Sequence, residues 1–302
     1  MRKARFWLLV LVVCVHFLSD GFGSEALSTD DFDEIEVKVA DLASKHGAAN
    51  VLVVFDIDNT LLASTGDLGS DQWFSWQEEL LQSNPKSPDL IFKSFPELLN
   101  AWGALLVIGK MRPTYTSKDG KKSTGHYVRN MQKSGVKVIA LTSRGFEYEI
   151  PTLRAFKENG IDLRSSAIGP REGYPEIRRA YTQAGLSELG FSEDEKKKLG
   201  LEKTAAYVVY KDGVFFTAGM HKGGMLRLLL AQTAFEPTAI VFVDDREKHT
   251  SRVQDAFAAS DIWVTSFRFG KEDARVEGFL KSRKRQSESI NRWNALRKLA
   301  SE

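Results

Sequence analysis

The hydrophobic residues of this chain form short continuous runs that alternate with amphipathic stretches. Residues 51–55, 136–141 and 239–243 are apolar and rich in β-branched side chains, which is typical of strands buried on both faces. Residues 262–264 form a shorter run of the same kind. Between the runs, apolar residues recur at helical spacing. The pattern predicts a doubly wound, Rossmann-like α/β fold with a mainly parallel sheet.

Three further segments have recognisable patterns. Residues 207–217 predict a β-hairpin with its turn at Asp212 and Gly213. Near the start, Ser28 or Thr29 is expected to cap a helix with acidic residues in its first turn. The tail from about residue 276 predicts a basic amphipathic helix that packs on the core through these residues: Ile290, Trp293 and Leu296. Contact of this tail with anionic lipid is the alternative.

The first residues differ from the rest of the chain in composition. Arg2, Lys3 and Arg5 precede a short apolar run at 6–18, and small residues follow up to Gly23. This order is typical of a secretory signal peptide, so we expect cleavage near Gly23 and export to the periplasm or the medium. An uncleaved N-terminal anchor is the alternative. No second membrane-length apolar run follows, so we expect no membrane span in the mature chain.

Composition excludes several classes of function. The 302 residues carry a formal net charge of +2, and residues beyond 23 hold equal numbers of basic and acidic side chains. A neutral body argues against non-specific nucleic-acid binding, so no nucleic-acid partner is expected. The single cysteine, Cys14, lies within the predicted signal peptide. The mature chain is therefore expected to have no disulfide, cysteine-ligated zinc or thiol nucleophile.

Polar side chains follow three of the predicted strands, at the point where each strand ends. They are Asp56, Asp58, Thr142, Asp244 and Asp245. The carboxyl ends of parallel strands meet at one edge of a sheet, where ligands of open α/β folds bind. Crowded carboxylates repel one another unless a cation neutralises them, and Mg²⁺ is the usual hard cation beside a phosphate. The sequence therefore predicts a Mg²⁺ and phosphate site.

The residue types in this group suit phosphoryl transfer. Asp56 can attack phosphorus as a carboxylate nucleophile, and Asp58 can exchange a proton with the leaving group and with water. The Thr142 hydroxyl and the Lys222 ammonium can hold the phosphoryl oxygens. An isolated acidic pair is more often a solvated helix cap, as at Asp31 and neighbouring positions, so the prediction depends on the combined pattern.

Four segments carry a resemblance to a known family. Residues 55–61, 141–143, 221–224 and 243–245 resemble, in order, the four motifs of the haloacid dehalogenase-like (HAD) superfamily. The chain also resembles a poorly characterised family of exported bacterial HAD-like proteins, and that resemblance implies no substrate. Dehalogenase members lack the second aspartate of the first motif, so Asp58 indicates phosphoryl transfer instead.

The resemblance implies roles for individual residues. It implies Asp56 as the nucleophile and Asp58 as the acid and base. It implies Mg²⁺ bound by the Asp56 side chain, the Asp58 main-chain carbonyl and Asp244, with Asp245 helping directly or through water. From the same motifs we expect four residues to contact the substrate: Thr60, Ser143, Arg144 and Gly223.

The chain between the first two core strands is longer than a direct crossover requires. The excess predicts a helical cap that closes over the site. The predicted organisation is a signal peptide at 1–23, a HAD-like core at 24–64 and 126–302 with a smaller insertion at about 165–217, and a cap at 65–125.

Two groups in and around the predicted cap have two interpretations each. The aromatic residues Trp73, Phe74 and Trp76 either stack on a substrate ring or form the cap's own core. The cations can bind a second anionic group of the substrate or lie in a solvated loop: Arg112, Lys118, Lys121 and Lys122, with Arg144 beyond the cap.

The expected function is that of an exported, Mg²⁺-dependent phosphatase that hydrolyses a phosphorylated small molecule through an aspartyl-phosphate. One alternative is a phosphotransferase that passes the phosphoryl group to an alcohol. The other is a catalytically silent HAD-like scaffold that serves as a secreted interaction or surface protein. The sequence leaves the substrate and the oligomeric state open.

Overall fold

A mainly parallel sheet of seven strands, extended at one edge by a two-residue strand, forms the centre of the protein. The computed structural model describes residues 23–170, 173, 178–202 and 205–301. The strands are β1 (Ser24–Thr29), β2 (Val51–Phe55), β3 (Leu62–Ser64), β4 (Met111–Pro113), β5 (Lys137–Thr142), β6 (Arg178–Arg179), β7 (Tyr207–Lys211), β8 (Val214–Phe216), β9 (Ala239–Asp244) and β10 (Trp263–Phe269).

The strand order is β1-β10-β9-β2-β5-β8-β7-β6. The strands from β1 to β8 in this order run parallel, and β7 and β6 continue the sheet in antiparallel pairing. β3 and β4 form a separate antiparallel pair. The strand β2 lies between β9 and β5: after β2 the chain builds β5, β7 and β8 on one side of it, and then returns to build β9 and β10 on the other side. This switch point is where α/β sheets open a crevice for ligands.

Helices cover both faces of the sheet, as the alternating pattern predicts. The helices are α1 (Phe32–His46), α2 (Asp71–Ser83), α3 (Phe95–Ile108), α4 (Thr124–Lys133), α5 (Glu149–Glu158), α6 (Gln183–Glu188), α7 (Glu193–Lys198), α8 (Lys222–Thr233), α9 (Glu247–Phe257), α10 (Asp273–Leu280) and α11 (Arg283–Ser301).

The two faces of β2 show why its sequence has no polar positions. Val51, Val53 and Phe55 pack into a core cluster with residues of α1, α4 and α5. Leu52 and Val54 point to the opposite face and pack with residues of α8 and α9. Successive side chains of a strand point to opposite faces, so a strand covered on both sides must be apolar throughout. The predicted α/β fold is confirmed at this level.

The start of the chain differs from the prediction. Residues Ser24–Thr29 form the edge strand β1, parallel to β10, and not the approach to a helix. The helix α1 begins at Phe32, where the Asp31 side chain accepts from the Asp33 amide at 2.8 Å. The predicted caps Ser28 and Thr29 were therefore wrong. Side chains of β1 alternate between exposed and half-buried, because an edge strand buries little, and this weakened its signal.

The described part of the polar segment at about 165–205 contributes apolar residues to the core as well as charged residues to the surface. Leu186, Phe191, Leu199 and Leu201 are buried and join the core cluster that covers one face of the sheet. The other charged residues of α7 lie on the outer side of the same segment, whereas Lys196 is buried. The few apolar anchors are widely spaced among these charges, so composition alone does not reveal that the segment joins the core.

The C-terminal tail packs through Ile290, Trp293 and Leu296, as predicted, and the core cluster that receives them is formed by the inserted helices α2 and α3 and not by the sheet. The tail forms two helices, α10 and α11. Trp293 lies 5.3 Å, ring centre to ring centre, from Phe92, and Phe279 lies 5.6 Å from Trp76. Ile290 and Leu296 join the same cluster. The aromatic side chains of the insertion offer these residues a larger apolar surface than the sheet, which other helices already cover.

No helix of the described residues is long and apolar enough to cross a membrane. Residues 1–22, which form nearly all of the predicted signal peptide, lie outside the described residues.

Candidate functional site

The ends of β2 and β9 and the start of α8 bring three charged groups into direct contact. Asp56 follows β2, Asp244 ends β9, and Lys222 opens α8. The Lys222 Nζ donates to Asp56 Oδ1 and to Asp244 Oδ2, at 2.6 Å each. All three residues are at most 6% exposed. The polar side chains at the predicted strand ends therefore meet, with Lys222 between two carboxylates.

Burial and neighbouring charges shift the pKa values of this group in different directions. Burial raises the pKa of Asp56, and the nearby Asp244 and Asp58 add to that rise against the charge of Lys222. Burial also opposes ionisation of Asp244, but Lys222 and a hydrogen bond from His249 outweigh it and lower its pKa to about 2. The two carboxylates raise the pKa of Lys222 despite its burial.

A third carboxylate completes a possible cation site. Oxygens of Asp56, Asp244 and Asp245 all lie within 4.8 Å of one another. Burial raises the pKa of Asp245 well above its usual value, and the charges of Asp71, Asp244 and Asp56 add to the rise. Hard oxygen ligands at this spacing, and carboxylates that repel one another, fit a divalent cation such as Mg²⁺.

Asp58 is held by a buried arginine. Arg144 donates from Nε to Asp58 Oδ2 at 2.8 Å and from Nη2 to Asp58 Oδ1 at 2.7 Å. Arg144 is 2% exposed, and its Nη1 donates to Thr152 at 2.8 Å. Its guanidinium also lies 5.8 Å from the centre of the Trp102 ring. The predicted substrate-binding residue Arg144 therefore has a protein partner, the predicted acid and base.

Asp56, Asp58 and Lys222 line a cavity at the carboxyl ends of the strands. Thr142 and Ser143, at the end of β5, line the same cavity. The Thr142 hydroxyl accepts from the Arg144 amide at 3.2 Å, so its own proton remains available to an anion. The Ser143 carbonyl accepts from the Gly219 amide at 2.9 Å, which fixes the loop after β5 against the loop before α8. Ser143 itself is exposed to the cavity.

Two residues expected to contact substrate lie beneath the cavity and do not line it. Thr60 is fully buried, and its hydroxyl has no hydrogen-bond partner among the described residues. A Cβ on Gly223 would lie 2.1 Å from the Arg252 carbonyl and 2.7 Å from Ala256 Cβ. Gly223 is thus required by the close approach of α8 and α9.

The cavity above these groups has a volume of about 350 Å³. Phe74 lines it, whereas Trp73 and Trp76 are buried in the cluster between the inserted helices and the tail. The cations predicted from the loop before α4 do not line the cavity, and three of them have acidic partners: Arg112 with Glu272, Lys121 with Asp119 and Lys122 with Asp33. Lys118 does not line it either.

Three cations outside the predicted set of site residues also line the cavity. Arg246, which precedes α9, donates to Asp71 at 2.5 Å and to Ser75 at 2.9 Å, and so it joins α9 to α2. Lys248 and Arg252 also line the cavity from α9. Their only signal in the sequence is a spacing of four residues directly after the fourth motif, which places both on one face of a helix.

No curated protein matches this chain. A family described as "Protein of unknown function (DUF2608)" matches residues 28–302, and the chain belongs to that family.

Proposed function

We propose that this protein is a divalent-cation-dependent phosphatase of the HAD superfamily, which hydrolyses a phosphomonoester through a phosphorylated Asp56. The observation that carries the proposal is the cluster of Asp56, Asp244 and Asp245 at the switch point of the sheet, with Lys222 bonded to two of them. The four motif segments that resemble the superfamily end at this one cavity. A buried charged cluster of this composition is costly to fold, which favours a functional over a structural role.

Mg²⁺ fits the cluster, and Asp56, Asp244 and Asp245 would hold it by their side chains. Bound there, the ion would offset the charge of the phosphoryl oxygens. Lys222 adds a fixed positive charge beside the nucleophile, because its ammonium lies 2.6 Å from Asp56 Oδ1. Thr142 contributes a hydroxyl donor at the other side of β2. These residues orient the phosphoryl group toward Asp56.

The reaction has two steps. In the first, an oxygen of Asp56 forms a bond to phosphorus, and the bond from phosphorus to the substrate oxygen breaks with its electron pair on that oxygen. In the second, water attacks phosphorus, Asp58 accepts a proton of the water, and Asp56 is released together with inorganic phosphate. The acyl phosphate divides one difficult displacement into two easier steps.

The pairing of Asp58 with Arg144 affects the first step. Both Asp58 oxygens accept hydrogen bonds from Arg144, so both are engaged as acceptors in this arrangement. Protonation of the leaving oxygen requires Asp58 to release Arg144. The same pairing keeps both Asp58 oxygens acting as hydrogen-bond acceptors, which suits the hydrolytic step.

The inserted helices α2 and α3 are proposed to act as the cap. Phe74 on α2 and both Phe95 and Trp102 on α3 line the cavity above the carboxylates. A cover of this kind excludes water and selects the substrate. We also propose that the protein is exported, which rests on the signal-peptide pattern of residues 1–23 and on a remainder without cysteine.

Hydrolysis of p-nitrophenyl phosphate by the purified protein tests the proposal. The assay compares Mg²⁺ with EDTA, and Asp56→Asn with Asp30→Asn, an exposed aspartate that serves as the matched control. We expect turnover that EDTA abolishes, that Asp56→Asn lowers by at least about a thousandfold, and that Asp30→Asn leaves unchanged. Binding of Mg²⁺, followed by calorimetry, gives a readout that does not depend on the choice of phosphoester.

Turnover that survives EDTA or the Asp56→Asn exchange would contradict the proposed chemistry. Absence of both turnover and Mg²⁺ binding would favour the silent scaffold. Binding of Mg²⁺ without turnover would direct the search to other phosphoesters.

A further inference from the structure

We propose that the site takes phosphomonoesters whose leaving group carries a planar ring and a second anionic group. This inference rests on the proposed function and adds the class of substrate. Two walls of the cavity carry it. The aromatic wall consists of Phe74, Phe95, Trp102 and Tyr148, and the cationic wall consists of Lys248 and Arg252.

The aromatic wall is a continuous group of rings. The ring centres of Phe74 and Trp102 lie 5.0 Å apart, and those of Trp102 and Tyr148 lie 5.1 Å apart. Phe95 extends the group at 6.1 Å from Phe74. All four line the cavity that the predicted nucleophile also lines. Aromatic faces and edges at such spacing bind a further ring in stacked or edge-to-face contact.

Hydrogen bonds to the main chain fix this wall before any substrate arrives. The Trp102 Nε1 donates to the Gly69 carbonyl at 3.1 Å, and the Tyr148 hydroxyl donates to the Leu99 carbonyl at 2.9 Å. Phe95 is 45% exposed, so part of its ring still faces solvent. The wall is therefore rigid and leaves apolar surface that a substrate ring can cover.

The cationic wall differs from the other cations of the cavity. Lys222, Arg144 and Arg246 each contact a carboxylate at 2.7 Å or less. Lys248 and Arg252 have no ion-pair partner among the residues that the structure describes, and they lie one helical turn apart on α9. Arg252 is half-buried, and burial lowers its pKa. A partly buried charge without a partner is costly, and an anion bound to Arg252 would offset this cost.

The two walls line one cavity, and a salt bridge joins α9, which carries the cationic wall, to α2, which carries Phe74. Arg246 at the start of α9 donates to Asp71 and Ser75 on α2. The α2 side also carries Glu78, which repels an anion. The second anionic group is therefore placed on the α9 side, with the ring against the aromatic wall. A cavity of about 350 Å³ accommodates a ring, a phosphate and one more small charged group.

Four probes separate the two walls. Phenyl phosphate has the ring, 3-carboxypropyl phosphate has the second anion, 4-carboxyphenyl phosphate has both, and propyl phosphate has neither. Their dissociation constants from the Asp56→Asn protein with Mg²⁺ are measured by calorimetry, and their kcat/KM values with the unmodified protein. The binding series does not require catalysis, so failure of the proposed function and failure of this inference give different results.

The carboxyl group is expected to tighten binding about tenfold, and the ring about fivefold. Arg252→Gln and Lys248→Gln, each in the Asp56→Asn background, are expected to reduce the carboxylate preference to about twofold. Phe95→Ala is expected to reduce the ring preference and to keep the carboxylate preference. Arg292→Gln on the exposed side of α11 removes the same charge away from the cavity and serves as the matched control.

Equal binding of the carboxylated and uncarboxylated probes would overturn the proposal. So would a loss of preference in Arg292→Gln as large as that in Arg252→Gln, because the effect would then be one of net charge. Preference for propyl phosphate over phenyl phosphate would overturn the assignment of the aromatic wall. The use of both Arg252→Gln and Lys248→Gln keeps the test decisive if one of the variants fails to fold.

Discussion

Replacing Lys222 by methionine should destabilise the protein, because the two buried carboxylates of the site then lack their cation. The ammonium is 1% exposed and bonds two carboxylates at 2.6 Å each. Lys222→Met keeps most of the side-chain volume but leaves Asp56 and Asp244 facing each other without a cation. Removal of one partner from a buried ion pair costs about 3–5 kcal/mol, since the remaining charges stay desolvated. In a chain of this size we expect the melting temperature in EDTA to fall by about 10 °C.

Thermal and guanidinium unfolding in EDTA and in Mg²⁺ measure this effect. A cation bound by Asp56, Asp244 and Asp245 would replace part of the lost charge, so Mg²⁺ should stabilise Lys222→Met more than it stabilises the unmodified protein. Lys284→Met, on the exposed side of α11, is the matched control and should unfold within about 0.5 kcal/mol of the unmodified protein.

Two outcomes would refute this reasoning. The first is a Lys222→Met protein as stable in EDTA as the unmodified protein, which would mean that the carboxylates do not depend on the lysine. The second is a Mg²⁺ stabilisation equal in both proteins, which would place any cation site elsewhere.

Three further changes test other parts of the structure. Trp293→Ala removes the ring that packs on Phe92 and should lower the free energy of unfolding by about 2–4 kcal/mol. The inserted helices should then be cleaved faster by proteases. An unchanged rate of proteolysis would show that the tail does not stabilise these helices. Gly223→Ala should cost more than about 2 kcal/mol in urea unfolding, because its Cβ would meet the Arg252 carbonyl at 2.1 Å, and unchanged stability would contradict the close approach of α8 and α9. The third change concerns His221, whose pKa burial lowers from 6.5 to about 4. Between these values the unfolded chain binds a proton that the folded protein does not, so the free energy of unfolding falls as pH falls from about 7 to 4. His221→Asn can still cap α8 and should remove about 1–2 kcal/mol of this loss at pH 5. Identical pH profiles of stability for the two proteins would refute the assignment.

The sequence predicted the sheet well where strands are buried on both faces. Such strands are continuous apolar runs, and β2, β5 and β9 appear within one residue of the predicted bounds. The edge strand β1 was missed because only alternate side chains are even half-buried. Edge strands depend on a neighbour, here β10, which a local pattern does not reveal.

The candidate site was predictable only in part, for a physical reason. Residues at strand ends, such as Asp56 and Asp244, meet because parallel strands share one edge. The partners of Arg144 and Arg246 depend on how the inserted helices lie over the sheet. That packing places Asp71 beside Arg246 and Trp102 near Arg144, and no spacing in the sequence encodes either contact. Lys248 and Arg252 of α9 were overlooked because their spacing alone is a weak signal, and their lack of an ion-pair partner among the described residues is visible only in the structure.

The most direct test of the central claim is detection of the phosphorylated nucleophile. The protein is mixed with p-nitrophenyl phosphate and Mg²⁺, quenched in acid, where acyl phosphates persist, and digested for mass spectrometry. We predict that the peptide containing Asp56 gains the mass of one phosphoryl group, and that Asp56→Asn abolishes the label. Turnover without a label at Asp56, or a label at another residue that survives the Asp56→Asn exchange, would contradict the claim.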